Sequence, residues 1–236
     1  MKQIQIVQSI KKLKKQFPQK GAMDFGTPYQ SLVAIILSAR TRDEQVLKLM
    51  PGFLKVFPTV DKLAKASEVK IQSKINTIGM YKQKSKNLKK MAQRVVDVYE
   101  GEIPDSMDEL VTLAGVGRKT ASVLLPSKFG KPAIAVDTHV HRVTNRLGWV
   151  KTSTPAKTEE ELLKIIPIKN QKATNEVFVK HGRYICISKP RCWACPLSSI
   201  CTFKDKNLER PKDAEKILED IERRENELQV LRSRLA

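Results

Sequence analysis

The chain has 236 residues, enough for one or two domains with buried cores, and carries 44 Lys and Arg against 25 Asp and Glu. Residues 204–236 hold nine of each sign, so the whole net charge of +19 lies on residues 1–203 and points to a polyanionic partner. No apolar run approaches the ~18 residues of a membrane span, and the stretch beginning Met1-Lys2-Gln3-Ile4 has no signal-peptide core, so a soluble, cytoplasmic protein is expected.

Helical periodicity runs along the chain, and strand alternation is almost absent. Ile4, Val7, Ile10 and Leu13 mark a first amphipathic helix. Thr27 and Pro28 read as the N-cap and first residue of a buried helix through residues 32–37. Helices over 43–57 and 68–75 follow, and Gly79 breaks the chain before a long basic helix over 82–99. Ser106-Met107-Asp108-Glu109 reads as a capping box for a short helix ending near Leu113. Helices restart at Arg118, near Asp137, after Thr154-Pro155 and near Asn170, and Pro126 should kink or shorten the one from Arg118.

The expected fold is therefore all-α, with two helical domains and a cleft between them. One domain would span 22–132, with a helix-hairpin-helix at about 106–128; the other would pair 1–21 with 133–203 and hold the cysteine loop. In the neutral tail over 204–236, Ile217, Ile221, Leu228, Leu231 and Leu235 fall on a heptad seam that Arg224 interrupts. Such a seam is too short for a coiled coil, so the tail is expected to dock on the body or to contact a partner. A monomer is expected.

Leu113-Ala114-Gly115-Val116-Gly117-Arg118-Lys119-Thr120 joins two short helices. Its glycines allow close approach, and the amides of Gly115, Val116, Gly117 and Arg118 at a helix start can face a phosphate. A helix-connecting turn needs no such partner, and hairpins of this kind also serve non-catalytic DNA-binding proteins. Lys119 lies in the first turn. Neighbouring cations, the helix dipole and partial burial would each favour its neutral amine, which can attack C1′ of a deoxyribose. Without a second group, a phosphate-binding lysine is the simpler reading. Asp137 supplies that second group: it follows the apolar run Ala133-Ile134-Ala135-Val136 as an N-cap, and a carboxylate there could stabilise a cationic sugar and move protons. His139 reads as a phosphate contact and His141 as structural.

All four cysteines, Cys186, Cys192, Cys195 and Cys201, lie in a Cys-x5-Cys-x2-Cys-x5-Cys cluster. A clustered set in a protein without secretion signals points to metal rather than disulfides. Zinc is the alternative, but zinc sites usually carry two close Cys pairs, so the spacing leans to a [4Fe–4S] cluster of structural role. Lys189 and Arg191, in the loop it would shape, are candidate contacts to the DNA backbone.

These motifs, together with Val136-Asp137-Thr138-His139 and His181-Gly182-Arg183-Tyr184, resemble the endonuclease III family of helix-hairpin-helix glycosylases from about residue 4 to 203. The resemblance implies a bifunctional DNA glycosylase and AP lyase that removes oxidised pyrimidines from double-stranded DNA. It implies Lys119 as the Schiff-base lysine and Asp137 as the catalytic aspartate. It also aligns residues 38–43, with Arg40, to the family's wedge loop, and Ile78-Gly79-Met80-Tyr81 to a second intercalating loop. Met80 would be the apolar wedge that fills the gap left by a flipped base, the other reading being a core residue. The chain departs from the family in four places: the cysteine box is one residue short, Arg40 replaces a common glutamine, Val111 replaces a glutamate, and Pro126 interrupts a helix. A non-catalytic damage-binding or DNA-bending protein and a monofunctional glycosylase are the competing functions.

Overall fold

The computed structural model describes residues 3–18 and 25–233, and all regular structure among them is helical. The chain divides into two compact units: Met1–Lys20 with Gly130–Arg224, and Gly21–Phe129 with Glu225–Ala236. The boundary expected between residues 21 and 22, and the seam residue Leu235, lie outside the described residues.

The unit built on Gly21–Phe129 centres on α2 (Pro28–Ser38). A complete capping box starts this helix, with Thr27 accepting from the Gln30 N–H, Gln30 accepting from the Thr27 N–H, and Pro28 at the first position. Residues 31–37 are all buried, which is why the sequence there is apolar on every face. Around it lie α3 (Asp43–Val56), α4 (Val60–Lys65), α5 (Glu68–Ile75), α6 (Tyr81–Tyr99), α7 (Met107–Leu110) and α8 (Arg118–Leu124). Leu88, Met91 and Val95 anchor α6 against its neighbours α4 and α5, each burial contributing roughly 1.5–3 kcal/mol. Its exposed Lys82, Lys86, Lys90 and Arg94 form a row at four-residue spacing.

Two local expectations are refined. Ser106 accepts from the Glu109 N–H, but the Glu109 carboxylate accepts from the Ser106 hydroxyl at 2.6 Å. After Leu124 the chain widens into a π-helical turn over Leu125–Phe129 that contains Pro126. Proline has no N–H to continue the ladder, so the α-helix ends there.

The unit built on Gly130–Arg224 packs α11 (Ile168–Tyr184) against α1 (Gln3–Gln16) and α9 (Thr138–Arg146), with α10 (Pro155–Ile165) on α9. Ile6, Ile10, Leu13, Ile134, Val140, Val143 and Phe178 form its core. A Cβ at Gly182 would lie 2.7 Å from the His139 Cβ, so only glycine lets α11 approach α9 this closely. The tail forms α12 (Ala214–Ser233), whose Ile221 packs against Phe17, Tyr184 and Ile185. Among the described residues no helix is long and apolar enough to cross a membrane.

Candidate functional site

The hairpin between α7 and α8 is pinned by Leu113 and Val116, which are buried. The Val116 N–H donates to Leu113 O at 3.0 Å, so this amide closes the turn and does not face outward as expected. Gly115 sits at φ +82°, and a Cβ there would come within 3.0 Å of Asn87 Cβ and Nδ2. Both the torsion and the space exclude a side chain. Gly117 is the extended N-cap of α8 and supplies no side-chain cap. The first-turn amides of α8 therefore end in the positive pole of the helix, beside the exposed side chains of Arg118 and Lys119. The partial burial expected of Lys119 is not found.

Two further loops of this unit carry residues named from the sequence. Arg40, just past α2, adopts φ +53°, and Met80, the residue before α6, adopts φ +59°. Such torsions cost a side-chain-bearing residue about 1–2 kcal/mol. Arg40 is exposed, and Met80 is 54% exposed, so Met80 is not a core residue. Nothing crowds Gly79.

Asp137 belongs to the other unit. It is the N-cap of α9, with its Oδ1 accepting from the His139 and Val140 N–H groups at 2.9 Å each. His139, two residues on, is half-buried, and burial holds its pKa below the usual value. Its Nδ1 lies 3.1 Å from Arg142 Nη2, a donor, which favours the tautomer with the ring proton on Nε2. The His141 Nδ1 lies 2.7 Å from Thr158 Oγ1, a structural contact.

The four cysteines line one cavity, together with Arg146, His181, Arg191 and Lys206. Arg146 donates to Cys186 Sγ at 3.5 Å and to Ile187 O and Ser188 O, while the Cys201 thiol donates to Arg146 O at 3.3 Å. Cys195 Sγ is 3.5 Å from His181 Nε2. Burial pushes the Cys195 thiol up to about 12 and raises that of Cys186. Thiolates there need a bound cation to compensate for lost solvation. Among the described residues no three metal-binding side chains are grouped to hold a single ion. Lys189 is exposed, whereas Arg191 donates to Tyr184 O at 2.8 Å and so also braces the loop from within.

Arg142 and Arg146 have no role that the sequence alone assigns. They stand four apart on α9, so they share a face, and Arg142 also donates to Cys186 O and Gly182 O. That spacing was the available signal, but it does not show what the shared face meets.

An all-helical chain with this hairpin and a four-cysteine cavity has the architecture of a DNA base-excision glycosylase. Residues 33–168 match the HhH-GPD superfamily of base excision DNA repair proteins. The chain is 45% identical over 177 residues to endonuclease III of Thermotoga maritima, covering 75% of this chain and 83% of that protein. It is 36% identical over 185 residues to the Escherichia coli K12 enzyme, covering 78% and 88%. The solved structure of a non-covalent endonuclease III–DNA complex matches with a TM-score of 0.77 at 35% identity, over 86% of this chain and 96% of that one. A trapped endonuclease III–DNA covalent intermediate matches equally well. The chain belongs to the endonuclease III family, and it is a base-excision repair enzyme with DNA glycosylase and AP lyase activity.

Proposed function

We propose that Lys119 is the nucleophile and Asp137 its carboxylate partner in removing oxidised pyrimidines from duplex DNA. The observation that carries this is the placement of Lys119: an exposed amine in the first turn of α8, directly after the glycine hairpin. The Gly115 and Gly117 amides and Arg118 would hold phosphate oxygens, bringing a deoxyribose to that amine. The lesion must leave the stack to be reached, with Met80 and Arg40 entering the space it vacates.

The Lys119 Nζ lone pair forms a bond to C1′, and the C1′–N bond breaks with its electrons leaving on the base, which takes up a proton. Nζ then loses a proton, the C1′–O4′ bond breaks with its electrons on O4′, which takes up a proton, and C1′ is left doubly bonded to Nζ as a Schiff base. Removal of a C2′ proton then expels the 3′ phosphate by β-elimination. The two capping amides fix the orientation of the Asp137 carboxylate, which would offset positive charge on the sugar and relay protons. His139 would meet the backbone as a neutral Nε2–H donor.

The four cysteines line one cavity, and their spacing, with a single close pair, suits a [4Fe–4S] cluster better than zinc. Held by Cys186, Cys192, Cys195 and Cys201, it would brace the loop bearing Lys189. Partners are duplex DNA with damaged or abasic sites, met by a monomer, with α12 docked on the body.

Borohydride trapping tests the mechanism, using duplexes with thymine glycol, an abasic site or no damage. A covalent adduct with both lesions, abolished by Lys119→Gln while DNA binding persists, is expected. Strand cleavage by that variant at an abasic site would overturn the role of Lys119. The cluster has a separate assay: a brown protein with about four iron and four sulfide per chain, against a colourless one containing zinc.

A further inference from the structure

Lys84 is the one lysine of α6 whose side chain is buried, at 5% exposure, although the helix offers an exposed face. Its Nζ donates to Leu37 O at 2.8 Å and to Thr41 Oγ1 at 2.5 Å. Both partners are neutral oxygens that offer the ammonium no countercharge, and burial lowers its pKa. A cation kept in such a place needs a reason that stability alone does not supply, because an apolar side chain of similar length could fill the space.

The geometry points to Lys84 as a positioning residue that holds the two DNA-facing loops of this unit in one fixed arrangement. Leu37 O belongs to the last turn of α2, where carbonyls lack helical partners and a cation is favoured. Thr41 lies four residues on, so the ammonium grips the chain on both sides of Arg40. Lys84 also donates its backbone N–H to Met80 O at 2.9 Å, closing the first turn of α6 behind Met80. One residue thus ties together the only two loops in which the described non-glycine residues of this unit, apart from Glu100 after α6, hold a left-handed torsion. Left-handed Arg40 and Met80 are strained, and strain persists only where surroundings over-determine the backbone.

This role rests on the reading of both loops as inserting into DNA, and the experiment separates the two. Single-turnover release of thymine glycol from duplex DNA requires insertion; borohydride adduct formation at an abasic site in single-stranded DNA does not. Lys84→Met is expected to slow the first by roughly 10- to 100-fold, the cost of misplaced contacts, with a much smaller effect on the second. Thr41→Val, which removes one acceptor and spares the core, should show the same split more weakly. In the Lys84→Met background, Met80→Ala should cause little additional loss, since both act through one loop.

Equal loss in both assays, or Met80→Ala and Lys84→Met effects that simply add, would assign Lys84 a merely structural part and overturn the proposal. If Met80→Ala and Arg40→Ala slow base release while Lys84→Met and Thr41→Val do not, positioning by Lys84 fails and insertion stands. If none of the four slows it, the reading of the loops fails as well.

Discussion

Gly115 in the hairpin and Arg40 and Met80 in the other two loops all turn the backbone through the left-handed region, at φ +82°, +53° and +59°. The hairpin does so with glycine, where torsion and space both forbid a Cβ. The other loops place full side chains there, at a cost of about 1–2 kcal/mol each that glycine would avoid. If, as proposed, the hairpin acts through its amides and the other two loops through their side chains, the difference follows from which atoms do the work. A loop that offers backbone amides gains by losing its side chain; a loop that delivers a side chain must bear the strain.

Gly115→Ala should give the largest change. The left-handed torsion adds about 1–2 kcal/mol, and the contact with Asn87 adds to it, so thermal stability and affinity for damaged and undamaged DNA should fall together. Normal stability with normal binding would mean that the hairpin does not require its glycine. Met80→Gly should separate the two properties in the opposite sense. Relief of strain, less the entropy of glycine in the unfolded chain, leaves up to about 1 kcal/mol of added stability. Release of a damaged base from duplex DNA should nonetheless slow by about tenfold or more. A variant that is both more stable and fully active would show that the Met80 side chain has no part in the reaction. Lys189→Ala probes a proposed phosphate contact outside either loop type. It should reduce the slope of log affinity against log salt by about one and leave base preference unchanged.

Much of this was legible along the chain because it depends on short spacings. The helix starts at Thr27-Pro28, Ser106, Asp137 and Thr154 are local, since a cap joins a side chain to an amide two or three residues away. The apolar run through 32–37 announced a helix buried all round, and the close cysteine spacing anticipated that all four line one cavity. The hairpin glycines and Lys119 follow the same rule: one turn of helix sets their relation.

What the tertiary structure decided involves residues distant in sequence. Gly182 is required because α9 brings His139 within reach of a Cβ across 43 positions. Arg142 and Arg146 have no assignable role until Cys186, Ile187 and Ser188 are seen to accept from them. Val116 looks available to a phosphate until its N–H is found closing the turn. Lys84 is the clearest case. Its spacing of four and seven residues from Leu88 and Met91 places it on the apolar face of α6, off the exposed row, but only the packing of α6 beside the end of α2 shows that it meets Leu37 and Thr41 there. Periodicity tells which face of a helix is apolar; which cation is drawn beneath a loop depends on the carbonyls that a second element leaves unpaired.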